Sequence, residues 1–371
     1  MSEAGLYLHI PFCKRKCPYC HFFSITDLGF KGLFVAALRE EMALYRNTFP
    51  PFSTIYFGGG TPSLLSAPEI EEILKGVEKE FSLIPDMEIT LEVNPLDQDE
   101  DWYWDLNRMG VNRLVIGVQS LHDVELARLG RQHRAKDAIY AIEKARKAGF
   151  NNIGVDLIYG LPGQSLADWE KNLKEVVSLA PEHISCYELT LEEDTPFYEM
   201  AKEGKLTFPK EEEKWKFFAL THWLLTEQGF LHYEVSNFAR GWSRVSRHNF
   251  LYWQRKPYLG CGPSAHSFDG ERRWWNVSSL ETYLAHIKKN TKPISGAEII
   301  SPAEASLEEI FLGLRTCEGI KLEALKEAPL LSPLLAEGYL KLEASHIRPT
   351  LKGMACADQL AIILTPDSYK P

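Results

Sequence analysis

Three of the chain's seven cysteines, Cys13, Cys17 and Cys20, fall within the run "CKRKCPYCHFFS". Thiolates bind soft metals, and a compact group of them can wrap one metal centre. Three chemistries compete for this spacing. A structural zinc site ordinarily takes four ligands from two close pairs. Here only Cys17 and Cys20 form such a pair, and completing the set with His21 or His9 requires an awkward reach. Dithiol redox chemistry by Cys17 and Cys20 leaves Cys13 without a task. A [4Fe–4S] cluster held by three cysteines uses all of them and leaves one iron open to a small molecule, whereas four cysteines saturate electron-transfer clusters. Lys14, Arg15 and Lys16 inside the loop either favour thiolates and an anionic cluster or form a solvated basic turn.

These thiols need a scaffold that carries other groups to the same place. Short β-rich runs, "LYLHI" (6–10), "TIYF" (54–57), "MEITLEV" (87–93), "NRLVIGV" (112–118), "NNIGVDLIYG" (151–160) and "EHISCYEL" (182–189), alternate with amphipathic helical stretches. Such βα alternation predicts a parallel sheet covered by helices. Six units are too few for a closed eight-stranded barrel, so the expectation is an α/β fold, a partial (β/α)6 barrel or a doubly wound sheet. In either, chemistry gathers at the C-terminal ends of strands. The candidate residues fall there: the thiols after the first run, "GGGTP" after the second, "EVNP" at the end of the third, "VQS" and "DLIYG" ending the fourth and fifth. Beyond about residue 235 the pattern breaks. We expect three units: a barrel at 1–235, an aromatic and histidine-rich extension at 236–300, and a small, mainly helical, winged-helix-like module at 301–371.

Composition narrows the class. The net charge of −10, from 41 Lys and Arg against 51 Asp and Glu, argues against non-specific binding to nucleic acid. No apolar run approaches the eighteen or so residues of a membrane span. The beginning "MSEAGLYLHIPFC" lacks the pattern of a secretory signal, and the remaining cysteines are scattered singly, so a reducing, cytoplasmic setting is expected.

The C-x3-C-x2-C spacing, with Tyr19 just before the last cysteine, resembles the signature of the radical S-adenosylmethionine (SAM) superfamily. "YLHIPFC", "FGGGTPS", "LEVNP", "GVQS", "RQH" and "DLIYGLPGQ" resemble, in that order, motifs of the oxygen-independent coproporphyrinogen III oxidase family and its relatives. The resemblance implies that SAM chelates the open iron, with the turn containing Gly59, Gly60 and Thr61 bonding its amino group. Glu92 then accepts from ribose hydroxyls, Gln119, Arg131 and Asp156 contact SAM, and Tyr7 and Tyr19 line the pocket. Each residue also has a plainer reading: a tight turn, a surface ion pair, a core tyrosine.

Two departures separate the chain from the oxidase pattern. Phe22 stands where the oxidases have a fourth cysteine, and Cys13 lies almost at the start where they carry an extension. Both match a sister group, the HemW-type heme chaperones. "RHNFLYW" adds His248, Asn249, Tyr252 and Trp253 in the HNxxYW pattern associated with heme in that group. Imidazole is a common axial heme ligand. His266, in "GPSAHSF", is the runner-up by local chemistry, and Arg244, Arg247 and Arg255 suit propionates. The resemblance thus implies a chaperone that binds heme and passes it to an acceptor hemoprotein, retaining a cluster with exchangeable SAM. Its rivals are an oxidase converting coproporphyrinogen III propionates to vinyls and a radical enzyme that modifies heme. Any of these needs an electron donor if SAM is cleaved. Monomer or homodimer, and peripheral membrane contact, stay open, as does the task of His21.

Overall fold

The computed structural model describes residues 3–325, 328 and 330–365. Six parallel strands lie side by side in chain order: β1 (Ala4–Ile10), β2 (Phe52–Gly59), β3 (Leu83–Val93), β4 (Arg113–Gln119), β5 (Ile153–Tyr159) and β6 (His183–Glu188). Their middles are buried on both faces, as parallel strands under helices must be. Helices Lys31–Ala43, Ala67–Glu80, Glu100–Arg108, Ala135–Lys147 and Leu166–Ser178 make the crossovers. Two of them start at reciprocal capping pairs, Ser66 with Glu69 and Ser165 with Asp168, which satisfy otherwise orphaned amides of the first turn. The expected partial (β/α)6 barrel is present, with all six β-rich runs in their predicted strands.

The sheet continues past both edges to twelve strands. Beyond β6 lies an antiparallel hairpin, β7 (Leu231–Glu234) and β8 (Asn237–Ala239). On the other side β9 (Tyr258–Cys261) pairs in parallel with β1, followed by antiparallel β10 (His266–Phe268), β11 (Arg272–Asn276) and β12 (Ile294–Ile299). The seventh parallel strand, β9, left no periodic trace because "YLGC" is too short to alternate. A buried carboxylate ties this edge down: Glu41 accepts from the Gly262 amide (2.7 Å), Asn276 Nδ2 (2.6 Å) and Tyr283 OH (2.7 Å).

Helix Pro302–Gly313 leads into a three-stranded antiparallel sheet ordered β13 (Ile320–Lys321), β15 (His346–Pro349), β14 (Leu340–Glu343), with short helices around it. This winged-helix-like module has its own apolar core, including Ile310, Leu314, Leu340, Ile347 and Leu360. Its contacts with the rest of the chain include ion pairs beside the packing of Cys317 on the cluster of Tyr233, Ala239 and Val245. Arg315 pairs with buried Glu234 at 3.1 Å, and Glu308 bridges Arg255 and Arg273, each at 2.7 Å.

Candidate functional site

The thiol loop leaves β1 and is clasped shut where the Cys13 amide donates to the Ile25 carbonyl at 2.9 Å. A turn brings the Cys20 amide to the Cys17 carbonyl at 3.1 Å. All three cysteines border one cavity together with Tyr19, Gly60, Thr61, Asn94 and Arg131. Thr61 Oγ1 lies 3.4 Å from Cys13 Sγ, and Arg131 Nη1 lies 3.7 Å from Cys17 Sγ. Arg131 reaches that position because Gly130, at φ +68°, lets its loop press against Pro18, where a Cβ would sit only 2.7 Å away. Lys14 is held by the buried Asp97 carboxylate at 3.0 Å. Burial pushes the Cys20 thiol up, with the neighbouring thiols adding to the effect. Cys13, Cys17 and Cys20 all line this one cavity.

An adjoining cavity shares Gly60, Thr61, Asn94 and Arg131 with the first and adds Glu92, Gly117, Gln119 and Asp156. Gln119 stands at φ +64°, where the β4–β5 register slips, a strained conformation for a residue with a side chain. Tyr56 OH donates to Glu92 Oε1 at 2.8 Å. Burial, reinforced by Asp156, pushes the Glu92 carboxyl up to about 8. Burial raises Asp156 to about 6, against the pull of Ser185 and Arg113, and its Oδ1 is buried without a hydrogen-bond partner. Gly59 plays a different part: at φ +103° it faces the His9 ring, where a Cβ would come within 2.6 Å. Sequence reasoning nominated neither Asn94, which accepts from Arg131 at 3.3 Å, nor Arg113, a buried guanidinium whose Nε and Nη1 lack partners. A charged residue opening the apolar run "RLVIGV" was the available signal for Arg113.

On the other side of β1 lies a larger hollow of about 850 Å³. Tyr7 and His9 of β1, Lys16 and His21–Phe23 of the thiol loop, and Tyr252 and Trp253 of helix Arg247–Trp253 form one side. Tyr258, His266, Phe268 and Arg273 of β9–β11, with Arg255, Ser264, Ser278 and Leu312, form the other. Tyr7 therefore faces this hollow, while Tyr19 borders the thiols. Phe22 is 67% exposed at its rim.

His248 lies beneath this wall, 1% exposed. Its Nδ1 pairs with Thr54 Oγ1 at 2.7 Å and its Nε2 with Tyr252 OH at 2.8 Å. The ring stacks on Tyr56 at 4.9 Å, and burial, aided by Arg113, lowers its basicity to about 3. With both nitrogens engaged, His248 orients Tyr252 and has no lone pair directed at the hollow. Arg247 bonds the Asp86 carbonyl, and Arg255 is held by Glu308.

Residues 7–176 match the radical SAM superfamily, and residues 300–356 match the HemN C-terminal domain. The chain is 38% identical over 330 residues to the heme chaperone HemW of Synechocystis sp., covering 86% of this chain and 80% of that protein. It is 35% identical over 319 residues to the heme chaperone HemW of Bacillus subtilis, covering 85% and 84%. The bovine mitochondrial radical S-adenosyl methionine domain-containing protein 1 is 33% identical over 396 residues, covering 98% and 87%. Among solved structures, the coproporphyrinogen III oxidase HemN of Escherichia coli superposes with a TM-score of 0.83 at 23% identity, over 98% of this chain and 90% of that one. At that identity the likeness concerns the fold.

Proposed function

We propose that this chain, which belongs to the HemW family of the radical SAM superfamily, is a heme chaperone that binds heme and passes it to an acceptor hemoprotein. The observation that carries the proposal is the hollow of about 850 Å³, walled by Tyr252 and Trp253 of the HNxxYW motif and by Phe22 and Phe23 of the thiol loop. Its volume falls in the range of small-molecule pockets, and flat aromatic faces suit a macrocycle. Lys16 at its border is a cation suited to a propionate.

In this reading Cys13, Cys17 and Cys20 hold a [4Fe–4S] cluster, and SAM is its exchangeable further ligand. Three cysteines on one cavity, in a chain whose residues 7–176 match the radical SAM superfamily, support this reading. Such a cluster, when bound, supplies one-electron chemistry. The chain's own residues do the positioning. Arg131 offsets negative charge at the Cys17 sulfur, and Thr61 bonds the Cys13 sulfur. Glu92, Gln119 and Asp156 face the adjoining cavity, where the unpartnered Asp156 Oδ1 is an acceptor for a hydroxyl or amine of SAM. An electron donor and an acceptor hemoprotein are the partners required, and the cytoplasm is the setting we assign. No helix among the described residues is long and apolar enough to cross a membrane.

Anaerobic hemin titration of cluster-reconstituted protein tests the reading. Saturation near one hemin per chain, with no consumption of coproporphyrinogen III in the presence of SAM and reductant, is expected. Absence of hemin binding would overturn it, and turnover of coproporphyrinogen III would restore the oxidase reading.

A further inference from the structure

We propose that His266, and not His248 of the HNxxYW motif, supplies the imidazole that ligates heme iron in the aromatic hollow. The proposal rests on the heme-binding reading above and assigns a residue within that site.

An axial ligand needs a lone pair that reaches the macrocycle. His248 fails that requirement: Thr54 and Tyr252 occupy its two nitrogens, and its ring is pressed against β1, where a Cβ on Gly5 would come within 3.2 Å. Freeing either nitrogen means breaking a buried hydrogen bond, which leaves a polar atom unsatisfied. His9 is also engaged, through Tyr7 OH at 3.3 Å and the Phe23 carbonyl at 2.9 Å, and is 4% exposed.

His266 differs on every count. It lines the hollow, it is an exposed residue with a half-buried ring, and neither ring nitrogen has a hydrogen-bond partner among the described residues. It is also held in place. Its backbone pairs with Trp275 across β10 and β11, and its ring stacks on the Trp275 indole at 5.8 Å with planes 25° apart. A ligand on a paired strand with a stacked ring is pre-oriented, unlike His21, which borders the same hollow from the thiol loop. Partial burial and then nearby Arg273 lower the basicity of His266, which favours the neutral imidazole that a metal binds. Glu298 is the facing group that works the other way.

Hemin titrations of the wild type, His266→Ala, His21→Ala and His248→Gln, followed by Soret position and EPR, test the assignment. His266→Ala is expected to shift the Soret band and weaken binding about tenfold or more, the scale on which metal sites respond to lost support. Added imidazole should restore the wild-type spectrum, which a structural role for His266 would not permit. His248→Gln, checked for folding by circular dichroism, should keep the wild-type Soret position. An unchanged spectrum in His266→Ala, or a ligand-loss spectrum confined to His21→Ala, overturns the assignment. Failure of the wild type to bind hemin would instead defeat the heme reading itself.

Discussion

Arg131 is the residue through which the thiols and the adjoining cavity meet: it contacts Cys17 Sγ, Asn94 Oδ1 and the Gly117 carbonyl. Replacing Cys17 with Ser should abolish reconstituted iron and sulfide, measured by elemental analysis; retention of both would refute the ligand assignment. Glu92 carries a second prediction. With its carboxyl raised to about 8, it is largely neutral at pH 6 and ionised at pH 9. A carboxylate is the stronger acceptor for ribose hydroxyls, so SAM affinity should rise from pH 6 to pH 9 in the wild type and rise less, and only near pH 6, in Glu92→Gln, where Asp156, raised to about 6, still ionises. Calorimetric titration across that range checks the sign. At this scale spacing singled out the cysteines, while Thr61 and Arg131 entered through the family resemblance, and all of them line one cavity. The sequence could not tell that both nitrogens of His248 are used, because Thr54 and Tyr252 reach them only through the fold. Nor could it separate His266 from other histidines without its placement on β10.

The βα alternation was legible because each strand-helix unit carries its own pattern, and strand ends then located most of the candidate residues. The edge built from β9 to β12 was not, since its order depends on long-range contacts to helices Lys31–Ala43 and Leu280–Lys288. Glu41 is the hub of those contacts and is wholly buried. Glu41→Ala would leave the Gly262 amide, Asn276 and Tyr283 without their acceptor and should cost roughly 2–4 kcal/mol in chemical denaturation. The pH dependence has a definite direction. Burial, opposed by these three hydrogen bonds, raises the Glu41 carboxyl from 4.5 to about 7. The folded state therefore holds the proton more tightly than the unfolded one. The linked stability is complete below about 4.5 and is lost as pH climbs through 7. Wild type should lose more melting temperature between pH 5 and pH 8 than Glu41→Gln does; equal losses would remove Glu41 as the source.

Across the whole molecule, the aromatic hollow gathers residues far apart in the chain, from Tyr7 to Leu312. Sequence motifs named parts of its wall but could not enclose it, since the enclosure depends on β9 joining β1. The C-terminal module meets this wall through Glu308, whose carboxylate spans Arg255 and Arg273. Glu308→Ala should raise hydrogen exchange in helix Pro302–Gly313 while leaving β1–β6 unchanged, because partly buried bridging pairs hold more than isolated surface ones. The central claim is that this hollow receives heme. Ser278, exposed on its border, is a place where bulk can be added without disturbing the core. The most direct measurement is hemin titration of wild type beside Ser278→Trp, with iron and sulfide content determined for both. At least about tenfold weaker binding in the variant, with cluster content unchanged, is the predicted result; superimposable titration curves would contradict it.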